Sequence, residues 1–266
     1  MKPWIVGFSV VIAVAAAISL EAQAPGRGQR PASGRGGVGL YLRQPPAPTD
    51  PAPMLADGTP DLSGVWLGNG SNSTDITRDL KPGDSVVMLP WAAAVLKNRQ
   101  SKDDPEANCL PTGIPRGSPY PWRIAQTPGI YFIVYEGNIH SWRQIFMDGR
   151  KHPDDPDPTW YGHSIGHWEG KTLVVDTVGF NDKFWFDYKG HPHTEKLHTI
   201  ERYTRTDLGH MTIDVTIDDP GTYEKPFTAV GRAQLMVGGQ LMEYICQENN
   251  QDLQRLSGPA RGPGNE

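Results

Sequence analysis

Eight histidines are spread along the chain, and five of them fall between residues 163 and 198. Imidazole is the side chain whose charge changes closest to neutral pH, so this density points first to proton transfer. In an extended segment Tyr161, His163, Ile165 and His167 share one face. Neighbouring side chains there sit about 7 Å apart, near enough for a proton relay or a shared metal. The same pattern also fits polar residues on the wet face of a strand. Met147 to Trp160 holds Asp148, Arg150, His152, Asp154, Asp155 and Asp157, interleaved with Pro153, Pro156 and Pro158. A rim this rigid suits His152 as an acid–base group oriented by an aspartate. A calcium loop or a run of Asx turns are the other readings, and EF-hand spacing is absent.

His191-Pro192-His193-Thr194-Glu195 sets two imidazoles on one side of an extended chain. That arrangement suits a catalytic His193, a metal set of His163, His191 and His193, or a solvated loop. Glu201 shares a strand face with Leu197, Thr199, Tyr203 and Arg205. Facing inward it is a buried carboxyl, either a general acid or half of an ion pair with Arg143 or Arg205. Trp160, Tyr161, Phe184, Trp185 and Tyr188 surround the histidines in sequence. Phe184-Trp185-Phe186 is too apolar for an exposed loop, so it fills core or lines a pocket for a ring-bearing ligand.

The chemistry these residues suit best is acid–base catalysis without a cofactor, on a small apolar or cyclic substrate in a barrel pocket. His163 is the base, His193 and His152 its partners, and Asp148 or Glu201 the orienter or acid. Trp160, Tyr161, Phe184, Trp185 and Tyr188 bind the substrate. Addition or elimination of water (lyase or hydratase), isomerisation and cyclisation need no more than this. A carrier of a lipophilic or aromatic ligand is the first alternative, and a His-ligated metalloenzyme the second. The sequence holds no Walker-type phosphate loop, His-Glu-x-x-His or Cys-x-x-Cys.

The frame for these residues follows from composition. In 266 residues, 25 Lys+Arg stand against 30 Asp+Glu, a net charge of −5 that disfavours a nucleic-acid partner. With 30 Gly and 25 Pro the chain is no helical bundle. One helix is predicted over about Pro90 to Ser101. Strand pairs are predicted at 130–136 with 142–147, 161–168 with 172–177, 197–205 with 211–217, and 229–237 with 241–246. The fold class is all-β: an antiparallel meander of eight to ten strands over 59–256, closing into a lipocalin-like barrel, with an open sandwich as the alternative.

The ends read differently. Lys2, the apolar run Trp4 to Leu20 and Ala22-Gln23-Ala24 predict a secretory signal over 1–24, cleaved after Ala24. The mature chain is then periplasmic or secreted and carries no transmembrane segment. Residues 25–58 read as a disordered Pro/Gly-rich linker and 257–266 as a disordered tail. In an oxidising compartment Cys109 and Cys246, the only two cysteines, are expected to form a disulfide.

The words Pro60-Asp-Leu-Ser-Gly-Val-Trp66, Gln126-Thr-Pro-Gly129, Met147-Asp-Gly-Arg150, Trp168-Glu-Gly-Lys-Thr-Leu-Val-Val-Asp176 and Glu201-Arg-Tyr203 resemble those of a large family of exported bacterial proteins described as hypothetical. The resemblance covers most of residues 60 to 250 and implies export but no particular activity. The Gly-x-Trp opening before a meander is also similar to lipocalin-type barrels, including nitrobindin-like and hydratase-like ones, at the level of fold.

Overall fold

The computed structural model describes residues 44–69, 71–117, 120–137, 141–248, 250–251 and 255–260, all within the unit Gly37–Glu266. The signal segment and the linker up to residue 43 lie outside them, as does His140. Nine strands form a closed barrel in sequence order. They are β1 (Val65–Gly68), β2 (Trp122–Thr127), β3 (Ile130–Tyr135), β4 (Trp142–Phe146), β5 (His163–Glu169), β6 (Thr172–Val178), β7 (His198–Arg205), β8 (His210–Asp218) and β9 (Phe227–Leu235). Every neighbouring pair is antiparallel except β4 and β5, which run parallel and pair only at Ile145 with Ser164 and Phe146 with Ile165. Among the described residues, two α-helices precede β2: α1 (Ser71–Thr74) and α2 (Pro90–Asn98).

The alternation that predicts the later strands holds in space. On β8, Met211, Ile213, Val215 and Ile217 are buried, and Thr212, Asp214, Thr216 and Asp218 stand between them half-exposed. On β7, Thr199, Glu201, Tyr203 and Arg205 face inward. Stacked Trp66 and Trp122, 6.3 Å between centroids, fill the interior together with Ile124, Ile133, Val175 and Val215. Each such side chain contributes about 1.5–3 kcal/mol when removed from water.

Closure takes an unexpected route. Leu241 to Cys246, predicted as the last strand, has no strand structure. β9 pairs with β1 instead, Trp66 opposite Leu235 and Gly68 opposite Ala233, so its edge is already occupied. The segment after β9 runs to a disulfide between Cys246 and Cys109, with Cα atoms 5.6 Å apart. This bond fastens the irregular stretch before β2, where Arg116 is buried against Asp104 and Glu106.

Helix α2 begins at Pro90 as predicted but ends at Asn98, and a short 3-10 turn (Ser101–Asp103) follows. β3 is apolar on both faces, yet only Tyr131, Ile133 and Tyr135 point into the core. Val134 remains exposed outside, near the exposed Trp142 of β4. Two segments predicted as disordered are partly fixed. Asp50 accepts a hydrogen bond from Leu208 N, and Met54 bridges to Pro60. In the tail, Gly258 accepts from Ser101 N, and Ala260 N donates to Arg99. No helix among the described residues is long and apolar enough to cross a membrane.

Candidate functional site

The parallel seam is where the barrel gapes. Continuing the β4–β5 register backward would set Trp142 beside Tyr161 and Gln144 beside His163, but no ladder forms there. The seam opens into a cleft of about 600 Å³, within the range of small-molecule sites. Ser141, Arg143 and Tyr161 line it from the core side; Trp142, Phe146, Trp160 and His163 form its walls, with Pro153 and Pro156 at the rim. A parallel pair requires a long connection, and the 147–162 loop that makes it supplies the rim.

Gly162 places the two chemically active neighbours. Its φ of +64° lies in the left-handed region, which glycine adopts at little cost. A Cβ there would sit 2.6 Å from the Val178 carbonyl oxygen and 2.7 Å from Thr177 Cγ2. A regular strand would hold Tyr161 and His163 on one face. The turn at Gly162 instead buries Tyr161, while His163 stays half-exposed on the outer side of β5.

On that outer side runs a hydrogen-bonded chain. His163 Nδ1 lies 2.8 Å from His152 Nδ1, and His152 Nε2 lies 3.1 Å from Asp176 Oδ1. His198 Nε2 approaches the same oxygen at 2.8 Å. A carboxylate only accepts, so a neutral His152 donates from Nε2 and accepts at Nδ1. His163 then donates from Nδ1, and its Nε2 lone pair is left free. Phe146 stacks on His163 at 5.1 Å between centroids, and the Arg150 guanidinium lies over the Phe146 ring. Burial lowers the His163 pKa below its ordinary 6.5, and His152 and Arg150 lower it further. The imidazole is therefore neutral at neutral pH and able to accept a proton.

Beneath the cleft, Arg143 donates to Glu201 at 2.6 Å, to Ser164 at 2.8 Å and to Thr177 at 3.0 Å. Glu201 also accepts from the Tyr203 hydroxyl at 2.7 Å. Burial works against the charge on Arg143, but the Glu201 carboxylate, with Tyr203 and Tyr135, more than offsets it and raises the pKa. Tyr135 stacks on Tyr161 at 5.6 Å. The barrel interior itself is nearly filled. A cavity of about 40 Å³ lined by Trp122, Tyr135, Glu201 and Tyr203 has room for a few waters and none for a ring. A pocket inside the barrel is thus replaced by one in its wall.

Of the residues singled out in sequence, the cleft gathers Trp160, Tyr161 and His163. His152 joins them through His163, and Glu201 through Arg143. The remainder lie elsewhere. Asp148 is exposed and bound by Arg150, whose hydrogen bonds hold its carboxyl down at about 2, so it keeps no proton to give and does not orient His152. That role passes to Asp176. Phe184 and Trp185 are buried packing and Tyr188 is half-buried, with Arg99 over Trp185 and Arg116 over Tyr188.

His193 is enclosed by Phe184 and Phe186, with centroids 3.9 and 4.9 Å away, and its Nε2 has no hydrogen-bond partner among the described residues. Burial pushes its pKa down to about 4. Above pH ~6.5 the ring is neutral in both folded and unfolded states, and its full contribution to stability is present. As pH falls the unfolded chain takes up a proton that the folded chain refuses. Stability then drops by about 1.4 kcal/mol per pH unit, about 3 kcal/mol in all by pH 4. Urea denaturation near pH 7 and pH 4 is expected to show this loss in the wild type and to show it reduced by that amount in His193→Phe. An identical pH slope in the two proteins would refute the assignment.

The set His163, His191 and His193 does not converge. Among the described residues, the group of three whose ligand atoms lie within 4.8 Å of one another is Asp75, Asp187 and His191, all buried. Its lone pairs are largely committed. Asp187 accepts from the backbone N–H groups of Ile76, Gly190 and His191 and pairs with His191 Nδ1 at 2.5 Å. Lys189 Nζ lies 2.6 Å from Asp75. The group ties the 187–191 turn to the segment after α1.

Ser141, Trp142, Phe146 and Asp176 belong to the site without having been singled out, and Arg143 was singled out only as an ion-pair partner. Asp176 carries a readable signal: an aspartate within Leu173-Val174-Val175-Asp176-Thr177-Val178 breaks a strand-forming run. No family model, no curated protein and no solved structure matches the chain.

Proposed function

We propose that this protein is an exported enzyme of acid–base type, a lyase, isomerase or cyclase, acting without a cofactor on a small apolar or cyclic molecule. The substrate binds in the cleft between β4 and β5, and His163 is the base. One observation carries the reading: the chain from Asp176 through His152 ends on His163, a cleft-lining imidazole held neutral beside Trp142, Phe146 and Trp160. An aspartate behind a histidine fixes its tautomer and stabilises the cation formed on proton uptake, and general base catalysis of this kind contributes about 10²–10⁴-fold. Export rests on the pattern of residues 1–24 and agrees with the Cys109–Cys246 disulfide, a bond that persists in oxidising compartments.

The test is turnover of a panel of cyclic hydroxy, keto and unsaturated compounds, followed by NMR of the mixture. His163→Gln is expected to lower turnover about 100-fold or more, and Asp176→Asn by a smaller factor. Undiminished turnover in a folded His163→Gln protein would end the proposal. A carrier of a lipophilic ligand within the barrel is not favoured, because the interior cavity is about 40 Å³.

A further inference from the structure

The core side of the cleft presents donors in search of an oxygen. Tyr161 and Ser141 are both buried and both line the cleft, with hydroxyl oxygens 2.7 Å apart. Two hydroxyls that share one hydrogen bond commit a single O–H to it, and the other remains free to donate. Arg143 lies behind them at the base of the cleft, its guanidinium held by Glu201, Ser164 and Thr177. A donor left without an acceptor is costly, so the complement of this hydroxyl pair is an acceptor atom.

The charge balance narrows the choice. Arg143 is already neutralised by Glu201 at 2.6 Å, and the wall does not call for a permanent anion. A neutral carbonyl oxygen fits, because it gains negative charge only as a proton leaves the adjacent carbon. The aromatic walls of Trp142, Phe146 and Trp160 suit a ring on the same molecule. The turn at Gly162 sets Tyr161 and His163 on different sides of one cleft, the separation that a donor to oxygen and a base for carbon require.

We propose that the substrates are ring-bearing, enolisable carbonyl compounds, with the Tyr161 and Ser141 hydroxyls holding the carbonyl oxygen while His163 removes a proton from the neighbouring carbon. This assignment rests on the reading of His163 as the base. In the step, the C–H electron pair becomes the C=C bond of an enolate, the carbonyl π pair moves onto oxygen, and the proton resides on His163 Nε2. Return of the proton to the same carbon regenerates the substrate, and return to a conjugated carbon isomerises it. Loss of a β-hydroxyl with that proton releases water. Burial holds the Tyr161 phenol up at about 12, so it keeps its proton and donates throughout the neutral range.

Two probes test the assignment. The first is 2-tetralone in D₂O, with deuterium uptake at its benzylic α carbon followed by proton NMR. The second is 2-naphthol, an oxygen-bearing mimic of the enolate, with binding followed by its fluorescence. The wild type is expected to accelerate exchange over buffer and to bind 2-naphthol. Tyr161→Phe is expected to slow exchange about 100-fold and to weaken 2-naphthol binding about tenfold. His163→Gln is expected to abolish exchange while binding 2-naphthol like the wild type. Ser141→Ala, which keeps the phenol, provides a second variant, with intermediate losses expected, should Tyr161→Phe fail to fold. No exchange by the wild type, or undiminished 2-naphthol binding in these oxygen-site variants, overturns the assignment. Exchange that falls in Tyr161→Phe but survives in His163→Gln supports the oxygen site and removes the base.

Discussion

Replacing Cys109 and Cys246 together with serine is expected to lower the unfolding free energy by about 5 kcal/mol, the chain-entropy value for a loop of this length. The two cysteines are 137 residues apart, and the loop they close contains β2 through β9. Only β1 among the strands lies outside it. The link therefore restrains the unfolded chain across nearly the whole barrel while touching little of the folded one. Domains of this size are stable by about 5–15 kcal/mol, so the loss is a large fraction of the total. Urea denaturation of the double variant, and of the wild type with and without reductant, measures it. A change below about 1 kcal/mol would mean that the unfolded chain is already restrained without the bond.

The Arg143–Glu201 pair is expected to give the next largest effect. Glu201→Leu leaves a guanidinium uncompensated inside the barrel, and Arg143→Met leaves a carboxylate. Each is expected to cost about 3–5 kcal/mol. The double variant removes both charges and is expected to lose far less than the sum, so the coupling energy from the four proteins is large. Losses that simply add would show that the two side chains act independently despite their 2.6 Å contact. The measurement reads stability alone and is separate from any effect on the cleft.

How far the fold was readable in the sequence depends on the range of the interaction. β7 and β8 announce themselves through strict alternation, and the inward set Thr199, Glu201, Tyr203 and Arg205 follows from a period of two residues. The same rule misplaces Tyr161 relative to His163, because it assumes extended backbone at Gly162, where φ is +64°. A glycine in the sequence permits that turn but does not require it. Phe184-Trp185-Phe186 reads correctly as too apolar for solvent, yet its choice between core and pocket depends on His193 packing against Phe186 and on Tyr223 reaching it from far along the chain. The partners that define the site are equally remote. His152 meets Asp176 across 24 residues, and Arg143 meets Glu201 across 58. No local pattern encodes which aspartate a histidine will find once two strands are laid side by side.

The single parallel seam has an arithmetic origin. Walking once around a closed barrel, strand direction reverses at every antiparallel neighbour and must return to its starting sense. The number of reversals is therefore even, and a ring of nine strands admits at most eight of them. One mismatch is compulsory, and in this chain it falls between β4 and β5. An even-stranded version of the same meander could zip shut all the way round and would have no such forced opening. The odd strand count obliges the wall to carry a fault line, and the aromatic, histidine-lined cleft lies along it.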